Sequence, residues 1–154
     1  MARNYWLMAA LVALVISGET RAMSSGGSSA TSTATPEFMA GAAAIEAKDY
    51  ATAETHLKAS VEKLPTHADS WSMLGFASRK LGKMDEAFKY YRQALSIDDE
   101  HRPGLNYLGH LFLETGQMDK AKGILEQLSS ACLFGCPEYD DLKAAVAAGK
   151  SGKY

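Results

Sequence analysis

Cys132 and Cys136 stand close together near the C-terminal end of the chain, with Leu133-Phe134-Gly135 between them. In an exported protein, two cysteines this near each other most simply close one disulfide. Such a five-residue loop contributes at most about 2 kcal/mol in the chain-entropy model, so its use is to fix a corner. The competing chemistry is a reactive pair or a soft ligand set, since thiolates suit Cu(I). Cys136 also precedes a helix N-terminus, where a thiolate is favoured. No obvious third ligand accompanies the pair. His67 and His101 recur 34 residues apart; equivalent places in successive helix pairs are separated by helix axes about 8–10 Å apart each, so the two do not share one metal easily and are expected as solvated turn residues. Asp98-Asp99-Glu100 lacks the spaced oxygens and closing Glu of a calcium loop and reads as an acidic turn. There is no Gly-rich phosphate loop, no HExxH, and no nucleophile with a base and an orienting acid. The expectation is a non-enzyme without metal, cofactor or small-molecule substrate.

The elements that would carry these groups follow a strict period. Gly41, Gly75 and Gly109 lie 34 residues apart, and Ala53, Ala87 and Ala121 repeat at the same interval. Small residues at fixed places mark close approach of two helices, while Trp71, Leu74 and Tyr91 fill the wider gaps. Leu81-Gly82-Lys83 and Thr115-Gly116-Gln117 put a glycine where a helix terminus turns left-handed. Lys48-Asp49 stands in the corresponding place without one. Pro65 stops a helix, and Asp99 and Leu133 occupy the equivalent places further on. A 34-residue unit with Gly at position 8 and Ala at position 20 resembles the tetratricopeptide repeat, a helix–turn–helix unit. The best-preserved copy, Ala68 to His101, adds Trp71, Leu74, Tyr91 and Ala94 at the expected places. The resemblance implies an all-α, right-handed solenoid of three repeats at about 34–67, 68–101 and 102–135. Glu138 to Ala148 then forms a capping helix within 136–149, with Pro137 in its first turn, acids near its N-terminus and Tyr139, Leu142 and Val146 on one stripe. Residues 150–154 form a frayed tail.

What the family resemblance implies about function lies on the first helix of each repeat, whose positions 2, 5, 9 and 12 line a concave face. Those places select Phe38, Ala42 and Ile45, then Asp69, Ser72, Phe76 and Arg79, then Asn106, His110 and Leu113. An apolar strip through Phe38, Ile45, Phe76 and Leu113, with Ser72, Arg79, Asn106 and His110 setting register, suits a peptide segment. The carboxylate clamp of chaperone-binding members is absent, because its places hold Phe38, Ala42, Met73, Asn106 and His110. The run Cys132-Leu-Phe-Gly-Cys136-Pro137 is similar to the CxxxCP element of the copper-delivering Sco proteins. That family sets the motif on a thioredoxin-like fold and adds a distant His ligand; neither a βαβ pattern nor an obvious third ligand appears in this sequence.

The N-terminal residues belong to another class. Arg3 precedes an uncharged apolar run, Trp6 to Ile16, about 16 Å long as a helix and too short for the ~30 Å hydrocarbon core. With Thr20-Arg21-Ala22 after it, the run reads as a secretory signal peptide over 1–22, an uncleaved membrane anchor being the alternative. Residues 23–35 form a Ser/Thr/Gly-rich linker. The net charge is −2 over 154 residues, and no basic cluster suits nucleic acid. The sequence thus points to an exported, periplasmic interaction scaffold for a protein or peptide partner of the cell envelope. Self-association through exposed solenoid faces remains open, and the alternative is a thiol-active or copper-handling accessory factor using Cys132 and Cys136.

Overall fold

The computed structural model describes residues 34–150. The apolar run Trp6 to Ile16, the expected cleavage after Ala22, residues 23–33 of the linker and residues 151–154 lie outside the described residues. Seven helices make up the described chain: α1 (Pro36–Glu46), α2 (Tyr50–Lys63), α3 (Ala68–Lys80), α4 (Met84–Ile97), α5 (Arg102–Glu114), α6 (Met118–Ala131) and α7 (Pro137–Ala148). They pack as hairpins α1/α2, α3/α4 and α5/α6, with α1, α3 and α5 side by side and α7 laid against both α5 and α6.

Local chemistry explains the boundaries. Thr35 ends the polar tract as the cap of α1, its Oγ1 accepting from Phe38 N at 3.1 Å. Asp49 does the same for Thr52 N at 3.1 Å at the start of α2. These acceptors satisfy amide donors that a helix start leaves unpaired. The hairpin turns pass through left-handed backbone at Gly82 (φ 78°) and Gly116 (φ 73°). Lys48 adopts φ 59° in the first hairpin, where a Cβ strains the turn that glycine makes freely.

The glycine ladder marks seams, and its third rung differs from the first two. A Cβ at Gly41 would lie 2.6 Å from Leu57, and one at Gly75 2.6 Å from the Tyr91 ring. Both partners come from the second helix of the same hairpin. Gly109 instead receives Leu142 of α7, a side chain with no exposed surface. The core accordingly falls into two clusters, one around Leu57, Leu74 and Ala77, the other running from Ala87 and Tyr91 through α5 and α6 to Leu142 and Ala145.

Candidate partner-binding surface

The structure moves most of the expected groove residues into the interior. Ser72 is 1 % exposed, Phe76 8 %, Arg79 3 %, Asn106 3 %, His110 0 % and Leu113 9 %, so their expected exposure in an open groove is corrected. The cause is the neighbouring first helix, because α5 lies on α3 and α7 lies on α5. Phe76 packs on Tyr107 with ring centroids 5.1 Å apart, and the Arg79 guanidinium sits 5.4 Å from the centre of the Phe76 ring. Arg79 Nη1 donates to Glu114 Oε1 at 2.6 Å, tying α3 to α5. Phe38 and Ile45, half-buried, pack on the N-terminal core cluster.

Asn106 and His110 serve the cap rather than a register of ligand contacts. Asn106 Nδ2 donates to Asp141 Oδ2 and to the Glu138 carbonyl, both at 2.8 Å. His110 Nε2 is 2.7 Å from the same Asp141 oxygen. Burial pushes the His110 imidazole below its ordinary pKa, against the opposing pull of Asp141. No periodic rule could assign these contacts, because α7 lies outside the 34-residue ladder and its register against α5 is not written in the repeat.

His67 and His101, expected as solvated turn residues, are 3 % and 8 % exposed. Each is the residue immediately before a first helix, where a side-chain acceptor is useful. Gly104 N donates to His101 Nδ1 at 3.0 Å, which leaves Nε2–H to donate to Asp69 Oδ1 at 2.8 Å. That bond from His101 holds the Asp69 carboxyl below its ordinary range, with burial acting against it. His67 Nδ1 lies 2.6 Å from Ser70 Oγ, which continues to Ser60 Oγ at 2.8 Å and Thr35 Oγ1 at 3.0 Å. Position directly before a repeat helix was the available sequence signal for both histidines.

Two adjoining depressions open where the N-terminal ends of α3, α5 and α7 converge. One, of about 370 Å³, is lined by Pro103, Asn106, Tyr107, Pro137, Glu138 and Asp141. The other, of about 530 Å³, shares Pro103 and Glu138 and adds Asp69, Asp98, Glu100 and Arg102 among its walls. The floor is partly apolar through the prolines and Tyr107, and the walls carry five carboxylates against one arginine. Of the eight residues first assigned to a groove, Asn106 borders this surface.

The chain also brings Cys132 and Cys136 together, with Sγ atoms 2.02 Å apart and Cα atoms 5.6 Å apart. Both are buried, at 9 % and 6 % exposure, within the C-terminal core cluster. Among the described residues no group of three or more His, Cys, Asp or Glu is arranged to hold a metal ion.

Helical hairpins stacked with their first helices side by side define an α-solenoid. Residues 78–146 match the family model for the tetratricopeptide repeat. The tetratricopeptide repeat-containing protein trd-1 of Caenorhabditis elegans is 28 % identical over 80 residues, 52 % of this chain and 10 % of that protein. The chain thus spans about a tenth of the length of this curated relative. Among solved structures, the Yersinia enterocolitica type III secretion chaperone SycD, in complex with a peptide of the translocator YopD, is similar with a TM-score of 0.64 and 16 % identity, over 73 % of this chain and 86 % of that one. The Arabidopsis OM64 TPR domain gives 0.65 and 13 % over 73 % and 92 %. The second TPR domain of human RPAP3, in complex with an HSP70 peptide, gives 0.63 and 19 % over 71 % and 94 %. Residues 78–146 thus match the tetratricopeptide repeat, and the fold of the described residues is the α-solenoid seen in such repeats.

Proposed function

We propose that the chain is a non-catalytic interaction scaffold that takes a partner's polypeptide segment in the double depression between α3, α5 and α7. The observation that carries this reading is the continuity of the two depressions through Pro103 and Glu138. A surface with an apolar floor and carboxylate walls suits an extended segment that alternates apolar and Lys/Arg side chains. Solved structures of the same fold are described with bound peptides, which supports a peptide as the ligand class. Buried Asn106, His110 and Arg79 act here as the supports of that surface, while Asp69, Glu100, Tyr107 and Glu138 face the ligand.

The apolar run Trp6 to Ile16 and the cysteine pair support export to the periplasm, with the partner in the cell envelope. In that compartment the pair is a structural disulfide that fixes the corner between α6 and α7. The test is a photo-crosslinking residue at Glu100 in the full chain, produced in its own host. The expected product is one partner joined through one segment rich in Lys and Arg, lost in a folded Glu100→Lys, Glu138→Lys double variant. Capture that persists in that variant, or through a segment without basic residues, overturns the reading.

A further inference from the structure

Leu133 is 82 % exposed and Phe134 102 %, the largest exposures recorded for big hydrophobic side chains among the described residues. They form the tip of the loop between Cys132 and Cys136, whose buried side chains anchor its base in the core. Gly135, at φ 84°, makes the turn that closes the loop. The first charges beyond the tip are acidic, Glu138 and Asp140. A paired apolar tip held away from its own core is poorly matched to water and well matched to an apolar recess.

Such a recess lies on another face of the same molecule. Three adjoining depressions of about 210, 400 and 330 Å³ run along α4 and α6 and share Phe88. Phe88 and Phe112, with ring centroids 5.9 Å apart, and Leu95 supply apolar lining. Lys89, Arg92 and Lys120 stand around them, Arg92 5.8 Å from the Phe88 ring and Lys120 5.5 Å from that of Phe112. None of these three cations forms an ion pair among the described residues. Asp85, at the Met84 end, is the one acid on the lining.

We infer that the Leu133–Phe134 tip of one copy docks into the α4/α6 recess of a second copy. The apolar tip meets the aromatic lining, and the exposed Asp140 behind it meets the unpaired cations of the rim. The occupant is another copy and not the same one, because Phe134 is wholly exposed within its own chain. Tip and recess are different surfaces, so the contact is head-to-tail: each added copy leaves one free tip and one free recess. This surface is separate from the acidic depression between α3, α5 and α7, and either assignment can fail without the other.

Sedimentation equilibrium of the oxidised full chain tests the inference. The expected result is association that grows with concentration and is abolished by Phe134→Asp. Reversing the exposed rim charges with Lys89→Glu and Arg92→Glu weakens it by about tenfold or more. The decisive arm mixes the two variants: one keeps its recess, the other its tip, so the mixture forms pairs that grow no further. A wild-type chain that stays monomeric at every concentration overturns the inference. So does a Phe134→Asp chain that assembles like the wild type, the result expected if another segment drives association, or a variant mixture that does not pair.

Discussion

Gly41 and Gly109 hold the same place in the repeat, yet the two ends of the solenoid are closed by different means. Gly41 is met by Leu57 from its own hairpin, and the outer side of α1 stays partly open, with Met39 61 % exposed. The ion pair that joins α1 to α2 there is Lys63 to Glu37, beside the Thr35–Ser60 hydrogen bond. At the other end Gly109 is met by Leu142 of a helix that belongs to no hairpin, and Asp141 accepts bonds from two buried side chains of α5. One end closes on itself; the other imports its closure. A repeat fixes its internal seam, but the interface to the next element is a separate interaction that each end must solve anew.

The largest expected effect breaks the imported closure. Leu142→Ala leaves a hole over Gly109 and costs about 2–5 kcal/mol, read by denaturant unfolding. Hydrogen exchange should show protection lost first in α7 and the facing side of α5, while α1 and α2 stay protected. Equal loss at both ends would mean the two closures are one cooperative unit.

A smaller effect is the pH dependence confined to the cap. His110 has its pKa lowered by burial, with the Asp141 hydrogen bond opposing. Between the ordinary value near 6.5 and the lowered folded value, the unfolded chain binds a proton that the folded chain refuses. Stability should therefore be fullest above pH 6.5, fall as pH drops through that window, and level off below it. In His110→Gln that part of the slope should vanish from the unfolding free energy. A slope unchanged by the substitution would remove His110 as its source.

The turns sharpen the comparison on a smaller scale. Lys48→Gly relieves the left-handed strain of the first hairpin and should raise stability by about 0.5–1 kcal/mol, whereas Gly116→Ala in the third should lower it by about 1–2 kcal/mol. Thermal unfolding of both variants gives the signs. Smallest of all, Lys63→Ala should leave the melting temperature unchanged, because the Lys63–Glu37 pair at the open end lies in solvent where such pairs contribute little.

The fold was legible because the ladder reports contacts made inside a 34-residue window. Gly75 against Tyr91 and the turn glycines Gly82 and Gly116 are all decided between residues close in sequence, so a period in the chain is a period in space. The candidate surface was less legible for the same reason. Whether Phe76 or His110 faces a ligand depends on the helix one repeat further on, and the residue types at positions 5, 9 and 12 do not record how closely that helix lies. Asp69 read as a concave-face position, Glu100 as part of an acidic turn and Glu138 as an acid at a helix start, and only the packing gathered them at one edge.

By itself the sequence pointed to a helical solenoid, since its small residues at constant spacing mark close helix approach and resemble the tetratricopeptide repeat. It also placed the two cysteines at the point where the ladder stops. Only the tertiary structure decided that Leu142 fills the last rung, that Asp141 anchors the cap through Asn106 and His110, and that Ser72, Phe76, Arg79 and Leu113 lie inside. Those outcomes depend on burial by the next helix along, α5 on α3 and α7 on α5, and burial is a property of the assembled surface, which no residue carries in its own side chain.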